Sequence, residues 1–153
     1  MIYQLAQINI ARMIGVTIED PVMKEFRDNL DKVNALAESS PGFIWRLKDE
    51  SNNAASFNPY NDEQVIINLS VWEDVASLEA FTYKTFHSDF VRRRKEWFQK
   101  FGKAYYALWW IPEGSFPTVD EAVAKLKQLQ SKGPSAEVFT FRDSFEKPIP
   151  KSV

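Results

Sequence analysis

A chain of 153 residues with 44% hydrophobic and 26% charged residues is the size of one globular domain with room for a core. Its net charge of -2 gives no basic surface for nucleic acid. The absence of cysteine excludes disulfides, thiolate nucleophiles and cysteine-bound metals. No apolar run approaches the ~20 residues that span a bilayer, and Met1-Ile2-Tyr3-Gln4-Leu5 lacks the form of a signal peptide. A cytoplasmic protein with no membrane or nucleic-acid partner is expected. Twelve Phe, five Trp and five Tyr exceed what a core of this size needs, which points to a ring-lined pocket or an interface.

Tyr3 to Met13 alternates as a strand. Ala6, Ile8 and Ile10 form its core face, and Leu5, Gln7, Asn9 and Ala11 a mixed face whose amides can point into a cavity, solvent or a neighbouring strand. Asp20-Pro21 opens a helix with the apolar stripe Val22, Phe26, Leu30, Val33 and Ala37, ended at Ser39-Ser40-Pro41-Gly42. Phe43 to Lys48 is a second strand, with Phe43, Trp45 and Leu47 on one face and Ile44, Arg46 and Lys48 on the other. Asp49 to Asp62 is a polar connection. Val65 to Trp72 is apolar on both faces and reads as a central strand, with Ile67, Leu69 and Val71 opposite Ile66, Asn68, Ser70 and Trp72.

A helix from Asp74 buries Val75, Leu78 and Phe81. After a break at Phe86-His87-Ser88-Asp89, a further helix runs to Lys100 with Phe90, Val91, Trp97, Phe98 and Phe101 inward. Tyr105 to Ile111 is a fourth strand. Thr118-Val119-Asp120-Glu121 is a capping box that opens a helix with Ala122, Val123, Leu126 and Leu129 inward, closed by Gly133-Pro134. Val138 to Phe141 is a short fifth strand. Residues 1–146 make one domain, and 147–153 a flexible tail.

The first six elements follow the βαββαβ pattern of a ferredoxin-like α+β sandwich, with an extra C-terminal helix and short strand. Such a sheet carries helices on one face. Because these strands are apolar on both, a second copy is expected to cover the other, giving a homodimer.

Ser70-Val71-Trp72-Glu73-Asp74, Leu78-Glu79-Ala80-Phe81 and Phe86-His87-Ser88 resemble the strand-to-helix signature of the dimeric α/β-barrel superfamily, which includes antibiotic-biosynthesis monooxygenase-like proteins. Together with Pro41 to Arg46, Arg92 to Phe98 and Leu108 to Pro112, nearly the whole chain resembles a bacterial branch known as a domain of unknown function. The resemblance implies a dimeric α/β barrel. Among haem-degrading members a tryptophan and the axial histidine lie on the helix after the third strand; those places here hold Phe81 and Val91, while Asn9 matches their first-strand asparagine.

Several side chains could carry chemistry. His87, the only histidine, is either a proton-transfer group or a cap at a helix break. Among Arg92-Arg93-Arg94, about 100° apart around a helix, Arg93 either holds a ligand carboxylate or pairs with an acidic neighbour. Trp72, Trp97, Tyr105 and Trp109 are candidate pocket walls, and Asn9, Arg46 and Asn68 candidate polar contacts. Trp109 and Trp110 must point to opposite faces of the sheet. One histidine and no cysteine leave only carboxylates as metal ligands, with no Asp/Glu cluster at ligand spacing, and a Gly-rich phosphate loop and a nucleophile elbow are missing from the sequence, so no cofactor is expected. The expected function is a small-molecule enzyme with an aromatic-lined pocket. Its most specific form is a cofactor-independent monooxygenase on an aromatic or polyketide-like substrate. The alternative is a non-catalytic small-ligand or haem-binding dimer.

Overall fold

The computed structural model describes residues 2–48, 64–85, 87–100 and 102–148. The polar connection from Asp49, the tail beyond residue 148, and Phe86 and Phe101 lie outside the described residues.

Among the described residues four antiparallel strands form one sheet in the order β2-β3-β1-β4, with β1 Tyr3–Arg12, β2 Phe43–Arg46, β3 Val65–Trp72 and β4 Tyr106–Pro112. β3 and β1 are central, as the two-faced apolar character of β3 requires. Helices α1 (Lys24–Ser39), α2 (Val75–Lys84), α3 (His87–Arg92) and α4 (Val119–Lys132) complete an α+β domain.

Local chemistry sets several boundaries. Asp20 accepts from Val22 N ahead of Pro21, and a short 3-10 turn, Pro21–Met23, leads into α1. Asp74 accepts from Ser77 N and starts α2; Thr118 accepts from Glu121 N and starts α4.

The two faces of the sheet have different covers. Ala6, Ile8, Ile10, Ile67, Leu69, Val71, Ala107, Trp109 and Ile111 meet Ala122, Val123, Leu126 and Leu129 of α4 in one fully buried cluster. On this face Phe116 stacks on Trp45 at 5.1 Å. On the opposite face Leu5, Trp72 and Leu108 pack with Ala37 of α1 and Leu78 and Phe81 of α2. Helices therefore lie on both faces. The chain itself supplies the cover that the sequence reading assigns to a second copy, so the bare-face argument for a homodimer no longer applies.

Three further expectations need correction. In β2 the register slips between Phe43 and Trp45, opposite Trp72 and Val71. Such a bulge reverses the alternation: Phe43 joins the α2-side cluster, while Trp45 and Leu47 join the α4 side. The helix drawn to Lys100 ends as α3 at Arg92, followed by a 3-10 turn, Arg94–Glu96. The chain leaves the helix there to pair with the far end of β1, with Ile14 N donating to Trp97 O and Gln99 N to Arg12 O. The fifth strand reduces to isolated antiparallel bridges, Leu108 to Phe139 on the outer edge of β4 and Ser135 to Val138 within the turn before it.

Candidate functional site

The α2-facing side of the sheet carries an unusual polar strip. Register places Asn9 opposite Asn68 and Gln7 opposite Ser70, with Leu5 opposite Trp72 one row above and Ala11 opposite Ile66 one row below. Four polar side chains thus occupy adjacent positions on a face that is apolar at either end. Gln7 and Ser70 are each only 5% exposed, and Asn9 and Asn68 are half-buried. Buried polar groups must find partners, and these find one another. Gln7 Nε2 donates to Asn68 Oδ1 at 2.6 Å and to Ser70 Oγ at 2.8 Å. Asn9 Nδ2 donates to Gln7 Oε1 at 3.1 Å and to Asn68 Oδ1 at 3.3 Å. Trp72 Nε1 donates to Ser70 Oγ at 2.9 Å.

Rings border the strip. Trp72 stacks on Phe81 at 5.2 Å and meets the edge of Phe43 at 5.4 Å. Tyr106, paired with Asn9 across the strands, has its phenol pK raised by burial and its oxygen accepting from Phe141 N. Beyond Ile66 lies a separate apolar cluster of Met13, Met23 and Trp97 with Phe26, Phe90 and Phe98.

His87 lies one ring beyond Trp72. Its imidazole packs on Phe81 at 4.7 Å, and Nδ1 is 3.2 Å from the Thr82 carbonyl of α2. That carbonyl can only accept, so the neutral ring carries its proton on Nδ1 and leaves the Nε2 lone pair available. Burial lowers the pK of His87 below its ordinary 6.5, more strongly than the Thr82 carbonyl raises it. In the folded state His87 therefore binds protons less readily than in the unfolded chain. Its contribution to stability is present above pH ~6.5 and is lost as pH falls through the lowered pK. His87→Asn, whose amide can still donate to Thr82, should flatten the acid limb of the melting-temperature profile below pH 6.5. An unchanged acid limb would show that other groups dominate it.

The remaining candidate residues are dispersed. Arg46 lies on the strip's face, opposite Ser70, buried and bonded to Glu38 Oε1 of α1 at 2.9 Å; it holds the carboxyl of Glu38 below the usual range. Trp109 and Tyr105 belong to the opposite face, where Trp109 is fully buried beneath α4. Its Nε1 has no hydrogen-bond partner among the described residues. Trp110 points the other way, as required, and donates to Phe145 O. Trp97 is buried in the Met13 cluster. Arg93 is at the surface, bidentate to Glu25 at 2.7 and 2.6 Å and bonded also to Glu96, with its carbon 4.9 Å from the centre of the Trp97 ring. These carboxylates raise its pK further, and both are held below the ordinary carboxylate range. That is a structural tie between α1 and the segment after α3.

An open groove of about 450 Å³ beside this tie is lined by residues including Lys24, Glu25, Asp28, Glu96 and Trp97. Its carboxylates already have cationic partners, since Lys24 bonds Asp28 and Arg93 bonds Glu25 and Glu96. Among the described residues no three His, Asp or Glu side chains are grouped to hold a metal ion, and no helix is long and apolar enough to cross a membrane.

Asn9, Asn68, Trp72 and Arg46 are thus brought to one face of the sheet, and His87 close to its border. Gln7 was legible as a cavity-facing amide but not as a site residue, and Ser70 was not singled out. The signal for both is a pair of polar residues two apart on each of two otherwise apolar strands.

A family model described as a domain of unknown function, DUF3291, matches residues 4–152. No curated protein matches the chain. Among solved structures the chain is similar to protein PA3566 from Pseudomonas aeruginosa, at 14% identity and a TM-score of 0.49, covering 75% of this chain and 98% of that one. It is also similar to NE2512, a protein of unknown function from Nitrosomonas europaea, at 10% identity and a TM-score of 0.48, covering 76% and 95%. At these identities and scores neither likeness bears on function.

Proposed function

Since the chain belongs to the DUF3291 family, whose description assigns no activity, we propose a function from the site alone: the protein binds a small, flat, largely apolar molecule on the α2-facing side of its sheet, over the strip Gln7–Asn9–Asn68–Ser70. The observation that carries this reading is the strip itself. A domain that needed only stability would fill central strands with apolar side chains, because a buried hydrogen-bonded group contributes little net free energy and is costly when incomplete. Stability given up at one patch of a core is a common mark of a functional surface. The protomer is read as ferredoxin-like, on the βαββαβ order of its sheet and principal helices.

A second reading makes the protein an enzyme, and His87 favours it. A neutral imidazole with a free Nε2 at physiological pH can take a proton from an acidic C–H or O–H group. A cofactor-independent monooxygenase would use that step to form a carbanion able to react with oxygen.

A thermal-shift screen of neutral aromatic compounds against wild type and Asn68→Val tests the main reading. Compounds that stabilise wild type by several degrees should leave Asn68→Val unmoved. A screen whose hits act equally on both proteins overturns the assignment. With a hit in hand, His87→Asn separates the two readings: binding is retained in both, but turnover with oxygen consumption is lost only if His87 is the base.

A further inference from the structure

The hydrogen bonds of the strip fix what kind of ligand it can meet. Both N–H bonds of Gln7 and both of Asn9 are spent within the strip, and Asn68 Oδ1 accepts twice. Two polar atoms remain without a partner among the described residues: Asn68 Nδ2, a donor, and Asn9 Oδ1, an acceptor. Neither is a buried orphan, because among the described residues only Trp109 Nε1 is buried without a partner. Both belong to half-buried, directly opposed residues on neighbouring strands, whose Cβ atoms stand about 5 Å apart.

The strip has a second self-consistent arrangement. If one amide turned over alone, N–H would face N–H or oxygen would face oxygen. If Gln7, Asn9 and Asn68 turn together, every contact is preserved with its direction reversed. Trp72 Nε1 can only donate, so Ser70 Oγ accepts from it in both arrangements. In the first, Ser70 also accepts from Gln7, and its own proton has no acceptor among the described residues. In the second, that proton goes to Gln7 Oε1. The outward pair becomes Asn68 Oδ1 and Asn9 Nδ2. In either arrangement the strip offers one donor and one acceptor, in opposite order.

Among the described residues no charged side chain bonds to the strip. The nearest in register, Arg46, faces Ser70 and is engaged by Glu38. An ionised ligand would lose its hydration here without gaining a counter-charge.

We propose that Asn9 and Asn68 form a reversible donor–acceptor clamp for a neutral, flat ligand that carries a hydrogen-bond donor and an acceptor on neighbouring atoms, the chemistry of a lactam or cyclic amide. This rests on the reading of the strip as a ligand site and adds the class of ligand. The concerted turn lets the clamp receive the amide edge in either order, with half-buried Tyr106, opposite Asn9, bordering the ring.

The test uses three probes of similar shape on the full chain, followed by calorimetry and by the side-chain amide signals of 15N-labelled protein. 2-Quinolone has both groups, quinoline has an acceptor only, and naphthalene has neither. The clamp predicts that 2-quinolone binds and shifts the amide signals of Asn9 and Asn68, with quinoline and naphthalene roughly tenfold weaker or more, because each leaves a half-buried amide unpaired. Equal affinity for all three overturns the clamp while leaving an apolar ligand site standing. Failure of all three to bind, with the Asn9 and Asn68 signals unmoved, overturns the ligand site and the clamp together.

Discussion

Trp72→Ala should lower the melting temperature by roughly 6–20 °C. Trp72 is 1% exposed and joins the apolar core under α2 to the polar strip. Its ring stacks on Phe81 and abuts Phe43, tying α2 and β2 to the end of β3. Removing a large buried ring costs about 3–5 kcal/mol in lost burial and residual cavity, and each kcal/mol moves the melting temperature of a chain this size by about 2–4 °C. Trp72→Phe separates the contributions. It keeps most of the ring contact and loses the bond to Ser70 Oγ, so it should cost less than half as much. If Phe is as damaging as Ala, the Ser70 bond rather than the packing holds this region together.

Gly42→Ala is the second large effect, expected at about 3 kcal/mol. Gly42 turns the chain from α1 into β2 at φ +83°, where a side chain is strained, and a Cβ would come within 2.5 Å of Ser77 Cβ in the first turn of α2. The carbonyl of Gly42 also receives Glu73 N, so the turn cannot move away freely. The left-handed backbone and the collision each contribute about 1–3 kcal/mol. Combining Gly42→Ala with Ser77→Gly should recover the collision part and leave the backbone part. A double-mutant cycle by denaturant unfolding measures this coupling; strict additivity would mean that the loop relaxes away from α2 and that Gly42 is needed only for its φ.

Much of the fold can be read from residue order. The alternation in β1, β3 and β4 follows from single-strand periodicity, and the start of α4 from Thr118 and Glu121. What was misread depends on partners distant in sequence. The β2 bulge exists only relative to β3, so the alternation of Phe43, Trp45 and Leu47 looked regular. The end of α3 is decided by Trp97 and Gln99 pairing with the far end of β1. The residues of α4 show an apolar stripe but not which sheet face it meets, so its cover of the second face cannot be read from residue order.

The site divides in the same way. Asn9, Asn68 and Trp72 could be singled out because polar residues and a large ring on apolar strands are conspicuous. Their union could not, because it depends on the register that sets Asn9 against Asn68 and Gln7 against Ser70. Arg93 and Trp97 looked like site residues by type; three-dimensional neighbours tie the first to Glu25 and Glu96 and bury the second among methionines.

The central claim is that the strip exists for a ligand and not for the fold. The most direct measurement is the unfolding free energy of ligand-free Asn68→Val beside wild type. In this variant Gln7 Nε2 keeps Ser70 Oγ and Asn9 Nδ2 keeps Gln7 Oε1, so neither amide loses all its partners. Valine also suits a central strand. The account predicts a stability within about 1 kcal/mol of wild type, or above it. A loss of about 3 kcal/mol or more would contradict it and make the strip a structural network that the sheet requires.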